Sequence, residues 1–176
     1  PTTRLGPLVE QLRVVKDDTE LAALTRACEI SIHALGWLAG QVRPGVTERA
    51  LAIGLDRTMV YLGADEPAFD TIVASGPHSA IPRHRPGQRP LTAGDLLTVD
   101  FGAAVDGYHA DCTRTWVVAA DPAPWQQQIH ALVEAAAGAG RAAARPGTSA
   151  ADVDAAARQV IAEGGYGEQF VHGLGH

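Results

Sequence analysis

Apolar residues recur at helical spacing over the first third of the chain. The acidic segment Asp17-Asp18-Thr19-Glu20 suits a helix N-terminus, and the apolar positions after it fit one long amphipathic helix: Leu21, Leu24, Cys28, Ile32, Leu35 and Leu38. The turn Arg43-Pro44-Gly45 ends this helix, and Thr47 is the predicted N-cap of a second one. The second helix, closed by Gly63, has one apolar face that contains Leu51, Leu55, Met59 and Leu62.

The pattern then changes from helical to extended. Residues 69–75 are β-branched at their centre and predict a strand that Gly76-Pro77 ends. The proline-rich segment 78–90 is predicted to be an irregular loop, either a surface connection or the edge of a functional site. Two apolar runs follow within 95–118, and Asp106-Gly107 between them favours a β-hairpin turn.

The second half of the chain repeats features of the first. A third helix is predicted from Asp121-Pro122, with Ile129, Leu132, Val133 and Ala136 on its apolar side, and a fourth from the cap Ser149. The Arg-Pro-Gly turn, the cap and the closing glycine recur at a constant offset of 102 residues. We therefore expect two related α+β halves. The second half stops soon after the strand-like Phe170-Val171, so we expect it to be incomplete by roughly 40 to 50 residues.

Two carboxylates lie inside the predicted hairpin. If the turn is centred between Val105 and Asp106, Asp100 faces Asp111. If Asp106-Gly107 is itself the two-residue turn, Asp100 faces Thr113 and Asp111 lies diagonally. Both registers put the two aspartates on one face of the sheet, because side chains alternate along a strand. Two like charges on a half-buried face repel each other, and a bound metal ion would compensate them. The alternative is that they are exposed strand residues.

Length and composition restrict the class of protein. The 176 residues, 46% of them hydrophobic, can bury one sizeable core and give no reason to expect two full domains. The net charge of -6, without a basic stripe, argues against nucleic acid, and no apolar run is long enough to span a membrane. Cys28 and Cys112 are too few for a disulfide framework and are predicted to be small core residues. These features favour a cytoplasmic globular protein.

The end of the chain holds further candidate ligands. His172 and His176 stand four residues apart among glycines, which favour a strand or loop over a helix. Imidazole nitrogens together with carboxylate oxygens suit zinc, manganese, cobalt or iron, so Asp100, Asp111 and one of these histidines form a plausible partial metal shell. Two ions sharing a carboxylate there would activate a water molecule for attack on a carbonyl group. The alternative is an incidental, tag-like tail.

Three stretches together resemble one enzyme family: Thr98-Val99-Asp100-Phe101-Gly102, Gly107-Tyr108-His109-Ala110-Asp111-Cys112-Thr113-Arg114-Thr115 and Val171-His172-Gly173-Leu174-Gly175-His176. With them the chain, from about Leu8 onward, resembles the pita-bread metallopeptidases, the family of methionine aminopeptidase, aminopeptidase P and prolidase. It is most similar to the Xaa-Pro branch. The resemblance implies an α+β pita-bread fold with two pseudo-symmetric halves, the second incomplete. It makes residues 1–15 a linker remnant and residues 16–176 part of a metallopeptidase catalytic domain.

The resemblance also implies cofactors and site residues. Asp100 and Asp111 would be ligands of two divalent metal ions, with Asp111 bridging them, and His176 would be the imidazole ligand. His172 would line the substrate pocket. Manganese is the first choice of metal, with cobalt or zinc as alternatives. The implied substrate is an Xaa-Pro peptide, hydrolysed at the bond before proline, and a homodimer is an expectation for the full-length protein.

Two departures from the family pattern affect these expectations. The family completes its metal shell with two glutamates beyond the second histidine, and the sequence ends before them, so the chain as given is expected to be inactive or nearly so. Members with a similar loop have a histidine directly after the proline, whereas here Arg83 follows Pro82 and His84 comes one place later. That histidine binds substrate or shuttles protons in the family. Either His84 takes over this role or the activity is altered.

Three functions stay open on the sequence. The first is a metal-dependent exopeptidase of the aminopeptidase P or prolidase type, with His84 and His172 as catalytic residues, and the intact Asp100, Asp111 and His176 favour it. The second is a non-catalytic module of the same fold that binds peptides or partners in its cleft, which Arg83 and the missing glutamates favour. The third is a creatinase-like hydrolase acting on a C–N bond of a small substrate.

Overall fold

The chain forms two compact units, one within Pro1–Asp121 and one within Pro122–His176. The computed structural model describes Gly6 and residues 8–175, and the predicted His176 ligand lies outside these residues. The first unit contains helices α1 (Leu8–Val14), α2 (Asp18–Gln41) and α3 (Glu48–Tyr61). The second contains α4 (Pro124–Ala143) and α5 (Ala150–Glu163).

The starts of α2 and α3 follow from their capping residues. The Asp17 carboxylate accepts the backbone N–H groups of Thr19 and Glu20, both at 2.9 Å, and the Glu20 side chain accepts the N–H of Asp17 at 2.7 Å. This capping box satisfies N–H groups that the first turn leaves without a helical partner. The Thr47 hydroxyl likewise accepts the N–H of Ala50 at 3.2 Å. The predicted helix starts are therefore confirmed.

Six short antiparallel strands lie in the first unit, among the described residues: β1 (Glu66–Pro67), β2 (Ile72–Ser75), β3 (Leu96–Phe101), β4 (Ala103–Val105), β5 (Tyr108–His109) and β6 (Cys112–Val117). They form two three-stranded sheets, ordered β2-β3-β6 and β1-β4-β5. The prediction of a strand over residues 69–75 is correct only for its last four residues. β1 was not predicted, because a two-residue strand leaves no alternating pattern.

The long hairpin passes from one sheet to the other at Gly102. A Cβ at this position would lie 1.8 Å from the carbonyl oxygen of Ala110, so only glycine fits between the two chains. The tip of the hairpin is held at two points: the Tyr108 hydroxyl donates to Glu20 at 2.7 Å, and the N–H of Asp106 donates to Asp65 at 2.7 Å. These contacts fix the hairpin against the rest of the first unit.

The core of the first unit lies where α2 and α3 pack against the strands. The α3 face is as predicted, with Leu51, Leu55 and Met59 buried. The α2 face is not: its buried residues are Ala23, Ala27, Ile30, Ser31, Ala34 and Leu38. Leu21 and Ile32 are 50% and 61% exposed, and Cys28 is exposed rather than a core residue. Cys112 is half-buried.

Small side chains explain why α2 turns this face inward. Ala27 and Ala34 are fully buried, and between them the Ser31 hydroxyl accepts the backbone N–H of Ala103 at 3.1 Å. A leucine in place of these alanines would hold the helix away from β4 and leave that N–H without its partner. Close approach of the helix backbone to the sheet therefore decides the face, rather than the size of its apolar side chains.

The second unit repeats the local geometry of the first. α5 occupies the positions of α3 shifted by 102 residues, and Ser149 caps it by accepting the N–H of Asp152 at 3.1 Å. The turn glycines Gly45 and Gly147 have φ angles of 89° and 87°. The backbone bond from Ala64 to Met59 recurs as the bond from Tyr166 to Ile161, both at 3.0 Å. These matches confirm the predicted internal repeat.

Two details of the second unit differ from the predictions. α4 begins at Pro124 instead of Asp121-Pro122, because the Gln126 side chain accepts the N–H of Ala123 at 2.8 Å and Pro124 suits the first turn. Val133, predicted to be on the apolar side of α4, is 54% exposed. No strand forms at Phe170-Val171 in the described part of this unit, where a short 3-10 helix, Gly167–Gln169, precedes an irregular segment.

None of the helices described within Gly6 and residues 8–175 combines the length and the apolar character that crossing a membrane requires.

Candidate functional site

The hairpin adopts the second of the two predicted registers. Asp106 and Gly107 both have positive φ angles, 51° and 78°, which is the geometry of a two-residue type I′ turn. In the ladder between β3 and β6, Asp100 is paired with Thr113. Asp111 lies in the short break between β5 and β6, diagonal to Asp100. The turn therefore sets the separation of the two carboxylates.

Asp100 and Asp111 are close enough for their carboxyl groups to share a hydrogen bond. Burial raises the pKa of the Asp100 carboxyl, and the charge and hydrogen bond of Asp111 raise it further. The Thr113 hydroxyl, which donates to Asp100 at 2.6 Å, acts in the opposite direction. Two carboxylates in this position need a proton or a cation between them. The pair thus fits a metal ion through the chemistry of its donors.

The two aspartates open onto a cleft of ≈ 490 Å³. One wall is the segment from Phe69 to Ile72, which leads into β2, and another is the loop from Arg83 to Pro86. His84, predicted as a catalytic residue, therefore lines the same cleft as Asp100 and Asp111. Arg83 lines it too, with a φ of 58°, in the left-handed region that few residues with a side chain adopt. The proline-rich loop is the edge of the candidate site.

A buried carboxylate holds this loop at both ends. Glu48, the first residue of α3, is fully buried, and one of its oxygens accepts the backbone N–H and the hydroxyl of Ser75, both at 2.8 Å. The other oxygen accepts the N–H of Gly87 at 3.2 Å. Ser75 precedes the loop and Gly87 lies near its end, so Glu48 connects both ends of the loop to α3.

The same carboxylate contacts two imidazoles of the loop. Nδ1 of His78 lies 2.9 Å from Oε1 of Glu48, and Nε2 of His84 lies 2.9 Å from Oε2. The two rings stack, with centroids 4.2 Å apart. Burial alone would raise the pKa of the Glu48 carboxyl. The hydrogen bonds from both imidazoles and from Ser75 outweigh this effect and lower that pKa to about 2.

Sequence reasoning did not single out Glu48 or His78. The signal for Glu48 was present, because position 48 continues the buried face of α3 through Leu51 and Leu55, and an acid on an apolar face needs a partner. His78 gave no such signal. Its role depends on the path of an irregular loop.

His172 lies in the second unit, in a segment that α5 fixes in place. The Arg158 guanidinium donates to the carbonyl oxygens of Phe170 and His172, at 2.7 and 2.8 Å, and pairs with Asp154. The Asp154 carboxylate also accepts the N–H of Leu174 at 2.8 Å. Hydrogen bonds from Arg158 and Leu174 lower the pKa of Asp154. His172 is thus carried on an ordered backbone, and its own side chain is exposed.

Comparison with known proteins identifies the family. The sequence profile of metallopeptidase family M24 matches residues 22–176. The chain belongs to metallopeptidase family M24. The carboxylate donors of the cleft agree with membership of a metallopeptidase family.

The M24 chain is similar to proteins that carry Xaa-Pro in their names. It is 36% identical over 173 residues to the Xaa-Pro dipeptidase of Pyrococcus furiosus, covering 98% of this chain and 49% of the relative. The solved structure of prolidase from Pyrococcus furiosus matches with a TM-score of 0.94 and 37% identity, over 99% of this chain and 51% of that one. The chain spans about half the length of the curated relatives it matches.

A third similar protein is the X-Pro aminopeptidase from Thermotoga maritima. Its structure matches with a TM-score of 0.88 and 37% identity, over 93% of this chain and 46% of that one. Together these structures confirm the predicted α+β pita-bread fold, and this chain covers about half the length of each of them.

Proposed function

We propose that this M24 chain is part of a metal-dependent exopeptidase that hydrolyses Xaa-Pro peptides at the bond before proline. The observation that carries the proposal is the contact between Asp100 and Asp111 in the wall of a cleft. The names of the relatives, an Xaa-Pro dipeptidase and an X-Pro aminopeptidase among them, support the substrate class. Both the prolidase and the aminopeptidase P type of specificity agree with these names.

Asp100, Asp111 and His176 are the residues proposed to hold two divalent metal ions, manganese first, with cobalt or zinc as alternatives. Bound there, the ions would polarise the substrate carbonyl and activate the attacking water. In the absence of a cation, the charge and the hydrogen bond of Asp111 raise the pKa of the Asp100 carboxyl, which is why this donor pair suits a dication.

The histidines are proposed to bind and orient the substrate. Nε2 of His84 is held by Glu48, which leaves Nδ1 as the nitrogen available to a peptide in the cleft. Arg83 stands where the family pattern has a histidine, and a guanidinium keeps its proton at physiological pH. We therefore assign proton transfer at this wall to His84 and a purely electrostatic role to Arg83. His172 is proposed to line the substrate pocket.

The extent of the functional protein is also a proposal. We infer that residues 1–15 are a linker remnant, that residues 16–176 are part of a catalytic domain, and that a longer protein supplies further metal ligands. On this proposal the 176 residues alone bind the metal ions weakly and turn over little substrate. The cytoplasmic location and the homodimer remain predictions.

A second candidate function is a non-catalytic peptide-binding module, and Arg83 in the cleft is the observation that favours it. The deciding experiment uses the product of the complete reading frame, with added Mn²⁺, on Xaa-Pro dipeptides and on longer Xaa-Pro peptides. We expect metal-dependent cleavage that Asp100→Asn abolishes and that Asp106→Asn, which removes the same charge at the exposed turn of the same hairpin and tolerates its positive φ angle, leaves intact. Binding of the peptides without metal-dependent cleavage would favour the binding module. Preference for dipeptides or for longer peptides separates the two peptidase types.

A further inference from the structure

Glu48, His78 and His84 bring one carboxylate and two imidazoles together at the back of the loop. We propose that these three side chains form a metal site of their own, separate from Asp100 and Asp111, that takes one borderline transition-metal ion of the Zn²⁺ class. One ligand atom from each residue lies within 4.8 Å of the other two. Neither the proposed peptidase activity nor its metal ions are needed for this site.

The distances are close to those that a shared ion requires. Zinc binds imidazole nitrogen and carboxylate oxygen at about 2.0–2.2 Å, so two ligands of a tetrahedral ion stand roughly 3.4 Å apart. The two nitrogen–oxygen contacts of Glu48 are both 2.9 Å. Opening each contact by about half an ångström, through small rotations of the side chains, makes room for the ion.

The surroundings of Glu48 match those of a metal-binding carboxylate. Ser75 and Gly87 donate three hydrogen bonds to its oxygens, and these orient the carboxylate independently of the imidazoles. Ligating carboxylates are held by such outer hydrogen bonds in known metal sites. An ion would replace only the two protons that now lie between the imidazoles and the carboxylate. The imidazoles would then coordinate through the same nitrogens.

An ion can reach the cluster from one side. Glu48 is fully buried, the His84 side chain is 13% exposed and the His78 side chain is 35% exposed. His78 is therefore the most solvent-exposed of the three ligands. Two nitrogens and one carboxylate favour zinc, cobalt, nickel or copper over magnesium and calcium. The two rings stack on each other, and one nitrogen of each contacts the Glu48 carboxylate.

Occupancy would also affect the cleft. The ion would bind Nε2 of His84, while the proposed function assigns Nδ1 of the same imidazole to the substrate. Coordination bonds would replace the two contacts of His78 and His84 with Glu48, while the hydrogen bonds from Ser75 and Gly87 would remain.

The test measures metal binding by the metal-stripped 176-residue chain, with ZnCl₂ by calorimetry and with Co²⁺ by its absorption spectrum. We expect His78→Asn and His84→Asn each to lower the zinc stoichiometry by one, or to weaken zinc binding at the Glu48 site by more than about 100-fold. Loss of a residue that only hydrogen-bonds to a metal ligand weakens binding by at most about that factor. His33→Asn is the matched control, because His33 is exposed on α2 and its Nδ1 contacts the carbonyl oxygen of Glu29 at 2.7 Å. Asp100→Asn must leave the site intact.

A second measurement needs no variant. In a ¹⁵N spectrum of the unaltered chain, zinc should shift Nδ1 of His78 and Nε2 of His84 and remove their protons. Zinc-induced changes confined to other histidines would overturn the proposal, as would unchanged stoichiometry and affinity in both loop variants. In either case the cluster would be a hydrogen-bonded fastener of the loop only. Neither measurement depends on peptidase activity, so failure of this proposal would not contradict the proposed function.

Discussion

The carbonyl oxygen of Ala110 faces Gly102 so closely that a Cβ on the glycine would lie 1.8 Å from it. Gly102→Ala must therefore push β4 away from residues 110–111, and Asp111 moves with them. We expect a loss of about 3 kcal/mol or more in the free energy of unfolding, measured by urea denaturation. Gly138→Ala is the control, since nothing lies within 4 Å of its Cβ position in α4, and it should gain about 0.5–1 kcal/mol. Equal stability of the two variants would contradict the conclusion that only glycine fits at position 102.

Asp100→Asn should stabilise the metal-free chain near neutral pH. Burial and Asp111 raise the pKa of Asp100, so the ionised form costs stability that the protonated form does not. The amide removes that cost and can still accept the Thr113 hydroxyl through its oxygen. We expect a higher midpoint of thermal unfolding at pH 7 in EDTA, and no gain at pH 3, where Asp100 is protonated. Asp106→Asn removes the same charge at the exposed turn; a similar gain there would reject the argument.

The Glu48 carboxylate makes the first unit sensitive to acid. Its pKa in the folded chain is about 2, against an ordinary value of 4.5. Because the folded-state pKa is depressed, its contribution is fully present above pH 4.5 and is lost as the pH falls toward 2. The shift corresponds to roughly 3 kcal/mol. Hydrogen exchange of core amides, measured in metal-free buffer, should show this loss of stability between pH 4.5 and 2 in the unaltered chain. Glu66→Gln, a change at an exposed position, should show the same loss, whereas Glu48→Gln should not.

Arg158 should control the order of the segment that carries His172. In Arg158→Ala the carbonyl oxygens of Phe170 and His172 lose their donor, and Asp154 loses its partner. We expect the amide of Leu174 to exchange at least about 10-fold faster, with Arg158→Lys in between, since an ammonium group cannot reproduce the planar fork of arginine. Arg141→Ala, at an exposed position of α4, should leave Leu174 unchanged. Protection of Leu174 that survives in Arg158→Ala would show that Asp154 alone fixes the segment.

Much of the fold could be predicted from local signals. The caps Thr47 and Ser149, the turn glycines and the Asp106-Gly107 turn each act over a few residues, so the sequence around them determines the geometry. The α2 face could not be predicted in this way. Its alanines are buried because α2 approaches β4 closely, and that approach depends on residues far apart in the chain.

The residues of the candidate site likewise fall into a predictable and an unpredictable group. Asp100 and Asp111 were found because the alternation of a strand puts them on one face under either register. The contact of Glu48 with His78 and His84 spans 30 and 36 residues and passes through a loop without regular structure. No periodicity connects such residues, so only the path of the loop reveals the cluster.

The internal repeat has one more consequence, which concerns how two copies of one scaffold diverge. At the offset of 102 residues, Ala150 corresponds to Glu48, while Ala52 and Asp56 correspond to Asp154 and Arg158. The copies keep the same caps and turns but fasten the segment after the second helix with different side chains. A buried acid does this in the first copy, and a surface ion pair does it in the second. One framework of helices and turns thus accepts two chemically different fastenings, so the framework itself does not dictate which side chains hold the segment that follows it.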